Sequence, residues 1–234
     1  MQGLHKKRIE VAVNIWGEVL QGSFSSRAEL VEYLREIYQE NDLEPIRGKT
    51  KIDIYDKELA TVYLVGKYGL GLEEEMEKYA DIFTIEFRSD RVLDKVLRGE
   101  SPRKSMLEVF GLLDENMVFR VLRLAMTAVI LGFMPEEKFI TILTAFEKEF
   151  PELEKNITGF KRFYIAFRLA EEIAAGKIRN RIEKETLKHA MCVRLNAEKA
   201  APPDWFIREI AVEALKIPEY RVNTVLSFSD RSRE

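Results

Sequence analysis

The segment DENMVFRVLRLAMTAVIL (Asp114–Leu131) contains the clearest helical signal in the chain. Asp114 is a residue type that commonly caps a helix N-terminus, and apolar residues follow it at three- and four-residue spacing. The longest apolar run, Ala125–Phe133, is too short to span a bilayer. The pattern therefore predicts a core helix of a globular protein.

The same segment places Arg120 and Arg123 inside its apolar pattern. A buried charge without a partner is energetically costly, so each guanidinium must reach water, a carboxylate or a ligand. Ion pairing is the default interpretation, and the pattern itself does not name the partners.

Helical periodicity extends from this segment towards both ends of the chain. Ser25 or Ser26, Asp53 with Asp56, Ser101 with Pro102, and Pro135 are typical of helix starts. The first predicted apolar stripes are Ile9, Val13, Trp16 and Leu20, then Leu30, Leu34, Ile37 and Tyr38. Residues 81–87 also fit a short strand, but they have no obvious partner strand, and we favour a helix.

These patterns predict an all-α fold, an irregular multi-helix array in two helical lobes. Gly99, Ser101 and Pro102 interrupt the periodicity within Arg98–Lys104, which places the boundary between an N-terminal lobe, 1–98, and a C-terminal lobe, 99–234. One continuous domain is the alternative.

Composition limits the possible functions. The chain has 234 residues and a net charge of -3, which argues against a surface that binds phosphates over its whole area. With Cys192 as the single cysteine and two histidines, we expect no metal site and no cofactor. The N-terminus has no signal-peptide apolar run, so we expect a cytoplasmic protein without membrane contact. High charge and few glutamines also fit a thermophilic source.

The segment Pro45–Leu72 is the first candidate site. A small anionic, phosphorylated ligand would contact its cations, with one of two acids as a proton acceptor; these candidates are Arg47, Lys49, Lys67, Asp56 and Glu58. The structural alternative, which we favour, is that Asp53 and Asp56 cap a helix that Gly66 and Gly69 end. Neither the Walker pattern nor the dinucleotide pattern is present.

The second candidate is a basic region at residues 177–199. Residues 161–199 contain ten Lys or Arg against five Glu. The spacing i, i+4, i+7 and i+11 would align four charges if one helix spans them, namely Lys177, Arg181, Lys184 and Lys188. Such a face suits a protein partner or a nucleic acid, whereas the alternative is a solvated face without a partner.

Four motifs carry a resemblance to known proteins. They are Lys7-Arg8-Ile9-Glu10-Val11-Ala12-Val13 with Trp16, Pro45-Ile46-Arg47-Gly48, Asp53-Ile54-Tyr55-Asp56-Lys57-Glu58, and Gly66-Lys67-Tyr68-Gly69-Leu70-Gly71. In these motifs the chain resembles a family of uncharacterised archaeal proteins, mainly crenarchaeal, that is classified only as a domain of unknown function. The resemblance implies an archaeal, cytoplasmic setting and brings no catalytic residues.

No reaction motif emerges, so the leading hypothesis is a non-catalytic helical module that binds a protein or ribonucleoprotein partner. It would use the basic region and the 45–71 loop-helix unit. The alternative is an enzyme or sensor that binds a small anionic ligand at the 45–71 unit. A third possibility is a subunit of a larger assembly, and the patterns specify no oligomeric state.

Overall fold

The computed structural model describes residues 2–45 and 53–226, with side chains from His5 onward. Within these ranges the chain forms helices, turns and loops and no strand, which confirms the predicted all-α class. The described residues divide into two compact units. The first unit is residues 5–151, and the second is residues 152–226 with residues 2–4.

The first unit is built around α6. Its helices are α1 Gln2–Leu20, which belongs to this unit from His5 onward, α2 Arg27–Glu40, α3 Ile54–Leu64, a π-helix Val65–Gly69, a 3-10 helix Met76–Tyr79, α4 Thr84–Leu97, α5 Pro102–Phe110, α6 Glu115–Ile130 and α7 Glu136–Glu149. Helix α6 packs against α3, α4 and α7. Its residues 121–130 are all buried, so the segment predicted to form a core helix does so.

The predicted helix starts are largely confirmed. Ser26, Ser101 and Asp114 each accept a hydrogen bond from a backbone N–H in the first turn of α2, α5 and α6. Residues 81–83 form a turn and α4 begins at Thr84, so helix rather than strand is confirmed for the ambiguous segment. These features are local, and their geometry is set by hydrogen bonds between near neighbours.

The segment Arg98–Lys104, expected to separate two lobes, lies within the first unit. Arg98 ends α4, Gly99 turns the chain with φ at 89°, and Ser101 caps α5. Helices α4 and α5 pack against each other, and both contact α7. The compact units instead meet in sequence between Pro151 and Glu152.

The buried face of α1 differs from the predicted stripe. Val13 and Leu20 are 38% and 48% exposed. The face that is buried carries Arg8, Ala12, Ile15, Trp16 and Val19. An apolar pattern passes over Arg8, because a charged residue is not expected to face the interior. The buried face of α1 therefore includes a charged residue that the predicted stripe did not.

The second unit is arranged around α8. A 3-10 helix, Pro151–Leu153, leads into this unit. Its further elements are α8 Glu154–Ala174, α9 Arg181–Arg194, a 3-10 helix Glu198–Ala200, α10 Asp204–Glu209, a π-helix Ile210–Ala214 and α11 Glu219–Asn223. Helix α8 packs against α9, α10, α11 and the π-helix. In neither unit does the described part of the chain include a helix with the length and apolar character needed to cross a membrane.

Candidate functional site

Five helices of the first unit bring eight ionisable side chains together, five of them buried and three half-buried. We call them the buried charge cluster: Arg8, Arg27, Asp56, Lys57, Glu58, Glu86, Arg120 and Arg123. Five of these side chains are cationic and three are carboxylates. The cluster therefore has an excess of positive charge in a region with little water, where electrostatic interactions are strong.

Glu58 is the inner acceptor of this cluster and is 1% exposed. Its carboxylate accepts hydrogen bonds from Arg8 Nη1 at 2.9 Å, the Tyr38 hydroxyl at 3.0 Å and Arg123 Nη2 at 3.3 Å. Burial lowers the pKa of Arg123, and Glu58 opposes that effect. Three donors already contact this carboxylate, so Glu58 holds two arginines in the core, whereas the sequence suggested a proton acceptor for a ligand.

Asp56 and Glu86 bind the outer arginines. Arg27 donates from Nε to Asp56 at 2.6 Å and from both terminal nitrogens to Glu86 at 2.6 and 2.9 Å. Arg120 Nη2 donates to the second oxygen of Asp56. Burial acts to raise the pKa of Asp56, but the two guanidinium groups outweigh it and hold that pKa below its usual value.

Asp56 therefore has a different role from the predicted one. Asp53 alone caps α3, accepting from the backbone N–H of Tyr55 at 2.8 Å and of Asp56 at 3.4 Å. The Asp56 side chain turns instead to the guanidinium groups of Arg27 and Arg120. The predicted capping box is thus half correct, because long-range ion pairs take the second carboxylate.

A small pocket opens among α3, α4 and α6 beside these ion pairs. Its polar wall contains Lys57, Glu86, Ser89, Arg120 and Arg123, and its cavity has a volume of about 10 Å³. The apolar wall is Ala60, Ile85 and Leu124. Three of the five polar side chains are cationic, and Glu86 is already bound by Arg27.

Several buried donors of the residues that line this pocket make no hydrogen bond. Arg120 Nε and Nη1 and the Ser89 hydroxyl are buried and have no hydrogen-bond partner among the residues that the structure describes. Lys57 is 7% exposed and forms neither a hydrogen bond nor an ion pair within the same ranges. Burial, then Arg123 and Arg120, lower the pKa of Lys57 to about 8, against the opposing effect of Asp56 and Asp53. The pocket is therefore positive and rich in donors.

Lys67 does not line this pocket. It lies in the π-helix, where its Nζ donates to Asp90 Oδ2 at 2.5 Å, and the Tyr63 hydroxyl donates to the same oxygen at 2.9 Å. Burial acts to lower the pKa of Lys67, and the Asp90 carboxylate outweighs it and raises that pKa. Of the other predicted anion contacts, Arg47 and Lys49 lie outside the described residues.

The basic stripe of the second unit is not one exposed face. Lys177 precedes α9, so no single helix spans all four cations. Lys184 is completely buried, where it pairs with Asp204 and with Glu185 at 2.9 Å. Lys188 pairs with Glu185 at 2.8 Å. Lys177 and Arg181 remain exposed.

Sequence reasoning missed the pocket residues Lys57 and Ser89 and the supporting ion pairs of Arg8, Arg27 and Glu86. One signal was available, because Asp56, Lys57 and Glu58 are three consecutive charges at the start of an otherwise apolar helical pattern. A second signal was the presence of Arg120 and Arg123 within the apolar pattern of α6. Only packing shows that the two signals belong to one cluster.

The described ranges contain no group of three His, Cys, Asp or Glu residues suited to holding a metal ion. The fold and the cluster together define an all-helical protein with a buried, positively charged pocket in its first unit. The chain belongs to DUF2192, a family of uncharacterized proteins conserved in archaea, whose model matches residues 2–226. This match confirms the predicted archaeal family. No curated protein and no solved structure matches the chain.

Proposed function

We propose that the first unit binds a small anion, or the anionic group of a small ligand, in the pocket among α3, α4 and α6. The observation that supports this most directly is the pair of buried Arg120 donors, Nε and Nη1, that have no partner among the described residues. A buried donor left without an acceptor costs about 1–3 kcal/mol, and more when the group is charged. An oxyanion would satisfy these donors.

The charge balance supports the same proposal. The buried charge cluster has more cations than carboxylates, and Lys57 and Arg120 bring the excess to the pocket wall. Guanidinium groups bind planar oxyanions through paired N–H donors. An anion would therefore offset the mutual repulsion of Lys57, Arg120 and Arg123.

The pocket size limits the ligand. The cavity itself has a volume of about 10 Å³, which is room for roughly one water-sized group. A single oxygen of an anion could therefore enter it, and the rest of the ligand would stay at the mouth. The proposal keeps the ligand class of the small-anion alternative, but the pocket is lined by Lys57 and by residues of α4 and α6 and not by the contacts predicted within residues 45–71.

Thermal unfolding in the presence of sulfate, phosphate or acetate, at constant ionic strength set with chloride, tests this function. A ligand that binds only the native state raises Tm in a saturable manner. We expect such a rise for wild type, and a much smaller one for Lys57→Met and Ser89→Ala. Lys104→Met, at an exposed lysine of the same unit, is the matched control and should retain the rise. Equal rises in Lys57→Met and Lys104→Met would contradict the proposal.

A second proposal is that the basic region 177–199 binds a protein or ribonucleoprotein partner without catalysis. The observation that favours it is that Lys177 and Arg181 are both exposed. In addition, Arg181 forms no ion pair with any described residue. Burial of Lys184 reduces the number of cations that such a partner could contact. The anion pocket therefore has the stronger support.

A further inference from the structure

We propose that the outer face of α9 binds the same face of a second copy of the chain, with the two helices antiparallel across a two-fold axis. We call this surface the α9 face. It consists of five exposed residues, namely Ile182, Thr186, His189, Ala190 and Val193. The proposal is independent of the anion pocket, because that pocket lies in the first unit and α9 lies in the second.

Helix α9 buries a lysine and exposes an isoleucine, which is the reverse of the usual distribution of these residues. Lys184 is completely buried on the inner side of the helix. Ile182 is 79% exposed, more than any other large apolar residue that the structure describes, and Val193 is 53% exposed. Apolar side chains gain free energy when they leave water. A partner that covers Ile182 and Val193 would provide this gain.

The α9 face is one continuous stripe along the helix. Ile182 and Val193 are eleven residues apart, so they lie about 16 Å apart along the helix axis and about 20° apart around it. Thr186, His189 and Ala190 lie between them on the same side. The stripe contains no Asp, Glu, Lys or Arg. A partner can therefore cover it without burying one of these charged side chains, which would be costly.

The order of residues along the α9 face suits a second copy of the same face. A two-fold axis through the midpoint of α9 brings Ile182 of each copy opposite Val193 of the other, and Thr186 opposite His189. Each contact then occurs twice, as in every two-fold interface. Thr186 and Ala190 are small side chains near the axis, so the two helices can approach closely there.

The charges beside the α9 face are complementary in the same arrangement. Glu183 and Arg194 are both exposed, and they lie at opposite ends of α9 along one edge of the face. The two-fold axis brings Glu183 of each copy near Arg194 of the other, which pairs opposite charges twice. Arg181 lies on the other side of Ile182, and Lys177 precedes the helix. The α9 face is therefore distinct from the cations proposed to contact a ribonucleoprotein.

The size of the α9 face predicts a weak dimer. Standard protein interfaces contain roughly 20–30 residues on each side, whereas the α9 face has five residues and two flanking charges. We therefore expect reversible association that depends on protein concentration.

Sedimentation equilibrium of the full chain at roughly 5–500 µM, the range of weak complexes, tests this inference. We expect the average mass of wild type to rise from the monomer towards the dimer. Ile182→Lys should weaken association about tenfold or more, because each dimer buries the substitution twice. Tyr220→Lys, at a 69% exposed residue of the same unit outside α9, is the matched control and should associate like wild type. Wild type that stays monomeric, or equal association of the two variants, would overturn the proposal.

A charge exchange tests the antiparallel arrangement. Arg194→Glu should weaken association, because it places a carboxylate near Glu183 of the other copy. The double variant Glu183→Arg, Arg194→Glu should restore association, since it only reverses the direction of both pairs. Circular dichroism checks that each variant is folded. Absence of weakening in the single variant, or of recovery in a folded double variant, would overturn the arrangement. None of these outcomes affects the anion pocket, which the sulfate measurement tests separately.

Discussion

Asp56, Lys57 and Glu58 are neighbours in the sequence, but their side chains have three different environments. Successive side chains of an α-helix point about 100° apart, so three consecutive residues in one turn of α3 face three different parts of the protein. Asp56 binds Arg27 and Arg120, Glu58 binds Arg8 and Arg123 in the interior, and Lys57 lines the pocket. Lys57 is the member that forms no ion pair with a described residue.

At the residue scale we therefore predict that Lys57→Met stabilises the protein by about 1–3 kcal/mol at pH 7, because it removes an unmatched charge from a nearly buried position. The pKa of Lys57 is about 8 in the folded state against an ordinary value of 10.5. Between these values the unfolded chain keeps a proton that the folded protein has released, so wild-type stability rises with pH.

The stability gap between Lys57→Met and wild type should consequently shrink from pH 7 to pH 10. Urea unfolding of both proteins at several pH values measures it. Lys104→Met controls for loss of an exposed lysine and should show no comparable pH dependence. A gap that stays constant with pH would contradict the lowered pKa.

In the π-helix that continues α3, Gly66 packs directly against the ring of Trp16. Trp16 Nε1 donates to the Val62 carbonyl at 2.7 Å, and the Trp16 ring stacks on Phe83 with centroids 5.2 Å apart. A Cβ on Gly66 would lie 2.3 Å from the Trp16 ring. Gly66 therefore makes room for the indole. It does not end the helix, and the chain turns later at Gly71, where φ is 69°.

At the element scale we predict that Gly66→Ala destabilises the protein by roughly 2–4 kcal/mol, because a rigid, fully buried indole must move to admit one methyl group. Gly17→Ala is the matched control. It lies in α1 with nothing within 4 Å of an added Cβ, so it should stabilise by about 0.5–1 kcal/mol. Urea unfolding measures both changes. Similar values for the two variants would contradict the packing role of Gly66.

At the scale of the whole molecule, acidic and basic residues are concentrated in different segments of the sequence, and ion pairs in the folded protein reduce the positive excess of the basic segment. The acidic residues 73–100 belong to the first unit and the basic residues 161–199 to the second. Within the basic region Lys188 pairs with Glu185 and Lys177 with Glu172 at 3.1 Å, and the composition of the region already counts both glutamates. The buried Lys184 pairs with Asp204, which lies outside the region. This pair makes the exposed positive charge of the region smaller than its composition indicates.

If this region binds a ribonucleoprotein, the double variant Lys177→Glu, Arg181→Glu should weaken binding of a fluorescent single-stranded RNA by about tenfold at low salt. The dependence of affinity on salt should also become shallower, because the variant neutralises fewer phosphates and releases fewer counterions. Fluorescence anisotropy across a salt series measures both quantities. Lys78→Glu, Lys104→Glu reverses two exposed charges of the first unit and is the control. Unchanged affinity and salt dependence in the first double variant would reject this partner class.

Local sequence patterns were sufficient for the all-α class, the helix starts at Ser26, Ser101 and Asp114, and the core position of α6. These features depend on interactions within a few residues, because caps and helical periodicity are local properties of the chain. The family could be recognised for a related reason, since its motifs are short and continuous in the sequence.

The site, in contrast, depends on tertiary packing. Glu58 meets Arg8 across 50 positions and Arg123 across 65, and Arg120 meets Asp56 across 64. No periodic pattern specifies such partners, because helix packing selects which faces meet. Packing leaves Lys57 without an ion pair among the described residues, places it beside two arginines in the pocket wall and buries Lys184 in the second unit. The sequence shows that charged side chains within apolar helices need partners, whereas the fold determines which of them form an ion pair and which do not.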